Sequence, residues 1–497
     1  MNIIHSSALL IPIAITMVTP LFIWLTRHNE NLREGVSFVA ALLTFFSLIP
    51  IGIGVLKGNI YTYTLFTILP GIKVKFCADG LSLIFAIISS FLWFFATSYN
   101  VGYMRSLKEH AQTRYYICFA IAIFGAQGVA LSGNVFTLYL FYEIITIFTY
   151  PLVAHHQDEE AYRGAKKYIV YLMGTSKMFL LPAMILTYVL AGTLDFRLGD
   201  ITHGIFPPGT NPIWISITYF LFIFGLAKAA IMPLHNWLPS AMVAPTPVSA
   251  LLHAVAVVKA GVFSISRIIL SVFGLQAMKA FHLGLPTAYL AAFTIVTASL
   301  IALTKDDLKA RLAYSTVSQL SYIILGVAML SPFGVAGGLI HIANHAFSKI
   351  TLFFAAGAIY VSTHLKKISL MDGLGKKMPF TYGAFALASL SMIGVPPVCG
   401  FVSKWYLVNG AIDINRIILL VALLASTILN AGYFVPIVYK GFFAKPHPDV
   451  NIDSYTEAPM VMVVPLCITA IISVLLGLYP DPFLNFIKSL GGVRWPF

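Results

Sequence analysis

Residues 225–263 read GLAKAAIMPLHNWLPSAMVAPTPVSALLHAVAVVKAGVF, and this stretch makes two conflicting demands. It is apolar enough for a bilayer, yet it holds Lys228, His253 and Lys259 together with Pro233, Pro239, Pro245 and Pro247. Proline lacks an amide donor and crowds the preceding turn, so no unbroken helix runs through all four. Non-helical backbone at membrane depth persists only where protein or water satisfies it. A charged side chain at that depth faces a protein interior or a wet cavity rather than lipid. The segment therefore reads as a broken membrane helix followed by a second helix, with lysines along an internal polar route.

The rest of the chain fits this reading. Its 497 residues are 59% hydrophobic and only 10% charged, with a mean hydropathy of +0.88. A soluble chain carries about a quarter charged residues. A crossing needs about twenty mostly apolar residues. On that measure about fourteen spans are expected, near 6–26, 35–56, 79–100, 114–132, 135–154, 168–191, 213–234, 247–273, 286–304, 311–331, 334–362, 380–412, 415–439 and 459–479. The run Leu9 to Leu25 has no charged leader before it and no small-residue cleavage site after it, so it is expected to be a retained first helix.

The net charge of +13 comes from basic residues spread over short inter-helix loops, which argues against nucleic acid. Loops 27–34, 101–113, 155–167, 305–310, 363–379 and 440–458 hold most of them, including Arg27, Arg105, Lys166, Lys309, Lys366 and Lys377. The opposite loops hold mainly Lys57, Lys73, Lys75 and Arg197. By the positive-inside bias both termini lie outside the cytoplasm of a cell-membrane protein. Cys77, Cys118, Cys399 and Cys467 are widely spaced and read as buried small side chains, with neither a disulfide framework nor a metal cluster.

Four further features carry chemistry. Glu143 is the one charged residue in VFTLYLFYEIITIFTYPLV (135–153). An intramembrane lysine is its expected partner, Lys228 the natural one, and approach or separation of the two would move a proton. His253 and Lys259 stand six residues apart, in directions about 120° different, close enough for water to join. His341, His345 and Lys349 in HIANHAFSKITLFF (341–354) follow at i, i+4 and i+8 along one helix face. That is a proton path rather than a zinc site, since no HExxH pattern or third ligand accompanies them. A second break, IGVPPVCGFVSKW (393–405), places Pro396 and Pro397 before Lys404. Lys404 reads as a terminal gate, Lys177 as equally balanced between a functional and a bland role, and Asp79 as a helix cap. There is no iron–sulfur, dinucleotide or phosphate-loop pattern, so the chain shows no energy source of its own.

Five stretches carry a family resemblance: DGLSLIF (79–85), the whole of 225–263, RLAYSTVSQLSY (311–322), HIANHAFSKITLFF and GVPPVCGFVSKW (394–405). They resemble the antiporter-like proton-translocating subunits of respiratory complex I, of multisubunit cation/proton antiporters and of membrane-bound hydrogenases. The resemblance implies an all-α polytopic membrane protein of about 14 helices, with helices 7 and 12 broken. It implies N-terminal helices 1–3 (residues 1–110), two inverted five-helix repeats at 111–273 and 286–439, and a final helix with a short tail (459–497). It assigns proton translocation to Glu143, Lys228, His253, Lys259, His341, His345, Lys349 and Lys404. It implies no cofactor or metal in this chain, with iron–sulfur clusters, a nickel–iron centre, flavin or quinone held by partner subunits. The implied partners are homologous membrane chains, peripheral redox subunits and lipid. Redox-driven proton pumping is the leading expectation. The alternatives are a Na+/H+ antiporter subunit, an energy-coupling subunit for inorganic-carbon uptake, and a non-conducting scaffold.

Overall fold

The computed structural model describes residues 2–250 and 256–497. His253 lies outside the described residues. The chain begins with a short strand, β1 (Asn2–His5), then α1 (Leu10–Leu25) and α2 (Glu30–Leu56). A hairpin of β2 (Asn59–Leu69) and β3 (Ile72–Ala78) follows. Next come α3 (Gly80–Ser106), α4 (Gln112–Ala130), α5 (Val135–Val153) and α6 (Glu159–Thr175), which continues through a π-helical turn at Ser176–Leu180 into α7 (Leu181–Ala191). After a loop stand α8 (Pro212–Gly225), a 3-10 turn at Ala227–Ala229, and the short α9 (Trp237–Ser240) and α10 (Thr246–Val248). The rest is helical: α11 (Val257–Arg267), a π-helical stretch, α12 (Gly274–Ala280), α13 (Gly284–Thr304), α14 (Leu308–Ala328), α15 (Pro332–Thr363), α16 (Pro379–Ile393), α17 (Cys399–Asp413), α18 (Ile417–Phe443), α19 (Met460–Leu478) and α20 (Asp481–Lys488).

Local chemistry sets the helix ends. Asp79, Asn134 and Ser331 each accept from a backbone amide three residues on, the ordinary N-cap bond. Ten helical segments among the described residues are long and apolar enough to cross a membrane by length and composition, and α8 and α16 are shorter apolar helices. Outward faces stay apolar: Val189, Ile417, Ile428 and Phe443 are all at least 70% exposed, as lipid contact requires.

Both expected breaks are present. The first falls earlier than expected: α8 stops at Gly225, and Lys228 sits inside the 3-10 turn rather than before it. Ala230, at φ +54°, then turns the chain away. The second runs from Gly394 (φ +90°) to Val398, between α16 and α17. Residues 59–78, expected only as a loop, form an antiparallel hairpin that pairs in parallel with β1. The signal was present: a run rich in Thr, Tyr and Ile leads to Pro70-Gly71.

The loops sort onto two faces. On one, Arg33 bonds to Gln112, Arg105 to Glu34, Arg114 to the His155 carbonyl, Lys309 to the Ala244 carbonyl and Leu308 to Lys366. On the other, Cys77 bonds to Leu131, Arg197 to Ser271 and Ile201 to Gly491. Asp79 is more than a cap. Arg267 grips it with both guanidinium nitrogens at 2.6 and 2.7 Å and also bonds to Ser82, all of it buried.

Candidate functional site

The first cluster is built on α5. Residues 142 and 146 are one turn apart and share a face, while residue 143 points about 100° away. Tyr142 and Thr146 meet the first break: the Lys228 ammonium donates to the Tyr142 carbonyl at 2.8 Å and to the Thr146 hydroxyl at 2.7 Å. It also stands 3.2 Å from the Tyr142 ring centroid. The Tyr142 hydroxyl accepts from the Lys228 backbone amide at 3.0 Å, so one tyrosine holds both ends of the lysine.

Glu143 faces the π-helical turn instead. It accepts from the Ser176 hydroxyl, and Lys177 Nζ lies 3.3 Å from its Oε2. Lys177 also donates to the Tyr139 hydroxyl at 2.6 Å. The expected direct pairing of Glu143 with Lys228 is therefore corrected: Lys177 is the ion-pair partner, and neighbours on α5 separate the two charges by helix rotation. A single π turn displaces residues 176 and 177 relative to a regular helix, a device found often at functional sites.

Lys259, on α11, is fully buried, and its ammonium has no hydrogen-bond partner among the described residues. Its helix lies against the first break through Gly261, where a Cβ would stand 2.2 Å from the Ala229 nitrogen. Only glycine allows the two backbones that approach.

The second cluster lies between α14, α15 and α17. His341 Nε2 meets Gln319 Oε1 at 2.9 Å and its Nδ1 meets the Ser403 hydroxyl at 2.8 Å. A hydroxyl donates or accepts, so Ser403 suits this nitrogen with or without its proton. The His345 ring centre is 5.9 Å from that of His341, and neither His345 nitrogen has a hydrogen-bond partner among the described residues although the residue is fully buried. One turn further on, Lys349 donates to Ser315 at 2.7 Å. Asn344 ties α15 to the start of α17 through the Cys399 carbonyl at 2.7 Å.

Lys404 closes the row at the second break. Its ammonium donates to the carbonyls of Met392 and Ile393 at 2.9 and 2.8 Å, the last of α16, and reaches Thr427 at 3.3 Å. A cation there is favoured by the free carbonyls and the helix dipole. Among the partners just described, Tyr142, Thr146, Ser176, Ser315 and Gln319 have no role in the sequence reading, although Tyr142 and Thr146 fall inside 135–153 and Ser315 and Gln319 inside 311–322.

Comparison with known proteins follows the same lines. Residues 132–430 match a family described as NADH:quinone oxidoreductase/Mrp antiporter, TM. The chain is 30% identical to NADH-quinone oxidoreductase subunit N of Desulforudis audaxviator, over 96% of this chain and 97% of that one. It is 28% identical to Na(+)/H(+) antiporter subunit A1 of Staphylococcus haemolyticus, over 100% of this chain and 64% of the other. Its fold is similar to a chain of the membrane-bound sulfane sulfur reductase, an archaeal respiratory membrane complex (TM-score 0.85, 25% identity, 97% of both chains). It is also similar to a chain of the Mrp complex from Dietzia sp. DQ12-45-1b (TM-score 0.83, 20% identity, 96% of both chains).

Proposed function

The chain belongs to the NADH:quinone oxidoreductase/Mrp antiporter transmembrane family, and from that premise we propose that it translocates protons as an antiporter-like subunit of a multisubunit membrane complex. The observation that carries this reading is the row of buried lysines. Lys228, Lys349 and Lys404 are held by carbonyl and hydroxyl oxygens, and Lys259 has no partner among the described residues. An ammonium paired to a carboxylate has an ion pair to break before it releases its proton. One held by neutral oxygens does not.

Glu143 and Lys177 set the charge beside Lys228. Loss of that ion pair leaves an uncompensated carboxylate next to Lys228 and favours its charged form; restoring the pair relaxes that demand. Protons pass from Lys228 to Lys259, along His345 and His341, and out by Lys404, with Lys349 storing charge beside the histidines. His253 keeps its place in this route as a proposal from sequence alone. The two breaks, each with a lysine on or beside it, support reading 111–273 and 286–439 as inverted repeats.

Moving one proton against about 150 mV costs about 3.5 kcal/mol. The energy is assigned to partner subunits holding iron–sulfur, nickel–iron, flavin or quinone chemistry, in a complex of the cytoplasmic membrane. The likeness to an antiporter subunit A1 favours a second reading, Na+/H+ exchange driven by an existing gradient. Mass spectrometry of the intact complex separates the two: redox partners support the first, and small membrane partners with further antiporter-like chains support the second.

The central test uses the purified complex in proteoliposomes with a pH-sensitive dye. Lys228→Ala is expected to abolish proton movement while the complex still assembles. An assembled variant pumping at the wild-type rate sinks the proposal.

A further inference from the structure

The turns after α3 and α5 meet on the loop face that carries most of the basic residues. Glu109 and His110 come from the first turn, His155 and His156 from the second. One ligand atom each from Glu109, His110 and His155 lies within 4.8 Å of the others. His155 Nε2 is 3.5 Å from Glu109 Oε2, and His156 Nδ1 is 3.7 Å from the same oxygen. The rings of His110 and His155 stack with centroids 4.8 Å apart.

His155 is the informative member. It is fully buried, yet among the described residues neither ring nitrogen has a partner at hydrogen-bond geometry. Its position is held by other means: Arg114 donates to its carbonyl at 3.3 Å, and the Tyr115 ring packs edge-on at 5.7 Å. Burying a polar ring whose one polar approach is 3.5 Å from a carboxylate oxygen is costly unless something binds its nitrogens. Two charges of the wrong sign for a cation site are engaged elsewhere: Arg114 by the His155 carbonyl at 3.3 Å and Lys309 by the Ala244 carbonyl at 2.6 Å.

Two imidazoles and a carboxylate are a ligand set for a borderline divalent ion. Zinc bonds of about 2.0–2.1 Å in a tetrahedral site put ligand atoms about 3.4 Å apart. The separations from Glu109 Oε2 to the two histidine nitrogens need only small side-chain adjustments to reach that. We propose that Glu109, His110 and His155, with His156 as fourth ligand, form a zinc-type metal site that clips the two turns together. Glu109 and His156 also line a cavity of about 460 Å³ shared with Asp158, Lys309 and Tyr360, through which an ion can enter. The site shares no residue with the proton route, so the two proposals fail independently.

The test is a metal titration of the intact purified complex after chelator treatment and dialysis. Co2+ is the spectroscopic probe and Zn2+ the competitor. The quantity read is the difference between wild-type and variant complexes, which cancels metals bound by other subunits. The wild type is expected to gain one tetrahedral Co2+ per copy of this chain, displaced by Zn2+. Glu109→Gln and His110→Ala are expected to weaken uptake by about tenfold or more, and His155→Ala to abolish it. His110 is exposed, so its variant folds even if the buried His155 variant does not. A wild type that takes up no such ion overturns the proposal, and so does a His110→Ala complex with unchanged content and affinity.

Discussion

At the scale of single residues, the least expected contact is the one that holds Glu143. Lys177 and Lys228 compete for influence over one carboxylate, and only Lys177 touches it. If the pair acts as a unit, Lys177→Ala and Glu143→Gln damage the same step. Their effects on proton flux should then be strongly non-additive, the double variant being no worse than the worse single one. Flux losses that multiply in the double variant would remove Lys177 from the mechanism. A structural pair makes a contrasting prediction. Asp79 and Arg267 are buried and doubly bonded, and removing one partner strands the other charge at a cost of roughly 3–5 kcal/mol. Asp79→Asn keeps the cap oxygen, so a lowered thermal midpoint reports the lost ion pair itself. Adding Arg267→Met should recover much of the loss. An Asp79→Asn complex as stable as wild type refutes this account.

At the scale of elements, the helix breaks were legible and the helix rotations were not. Prolines at 233, 239, 396 and 397 announce broken backbone without reference to any neighbour. Which lysine faces Glu143 depends on a π turn at 176–180 that no apolar pattern encodes, so the partner was misassigned. One glycine then shows how closely the first break is seated. A side chain at Gly261 would collide with the Lys228–Ala229 backbone, and Gly261→Val is expected to cost about 1–3 kcal/mol and to impair flux. The hairpin has its own fastening: Asp195 lies 2.9 Å from both Lys73 and Lys75. Burial works against its charged form, but the two lysines outweigh it and hold the Asp195 carboxyl below the ordinary carboxylate range. The folded value is the lower one, so this stabilisation is complete above the unfolded value of about 4 and is lost as pH falls through the folded value. Being partly exposed, the clip is worth about 1 kcal/mol, a fivefold change in local opening. Protection of β2 and β3, taken relative to intrinsic exchange rates that themselves slow at acid pH, should therefore fall at acid pH, and Asp195→Asn should show that lower protection already at neutral pH. Equal protection in both proteins at neutral pH counts against the clip.

At the scale of the whole molecule, charge distribution and packing converge on one picture by separate routes. The sequence sorts basic residues into alternate loops, and hydrogen bonds among those loops draw loops 27–34, 101–113, 155–167, 305–310 and 363–379 onto a common face. The hairpin, Asp195 and the C-terminal tail at Gly491 gather on the other. Periodicity and loop charge were enough for this two-faced layout because each helix reports its own ends. The Glu109–His155 cluster was not legible, since its two halves are 45 residues apart and meet only through helix packing. From the positive-inside bias we expect the face of Arg163 toward the cytoplasm and the face of Lys57 outside. Impermeant thiol labelling of intact cells tests this directly. Cys77, Cys118 and Cys399 are buried, and the half-buried Cys467 sits within the apolar helix α19, so the unsubstituted protein sets the background against which each variant is read. Arg163 is highly exposed, its side chain 78% accessible, and Lys57 is exposed on the opposite face. Lys57→Cys should react in intact cells, whereas Arg163→Cys should react only after the membrane is opened. The reverse pattern would invert the protein, and the proposed proton route would then have to run the other way across the membrane.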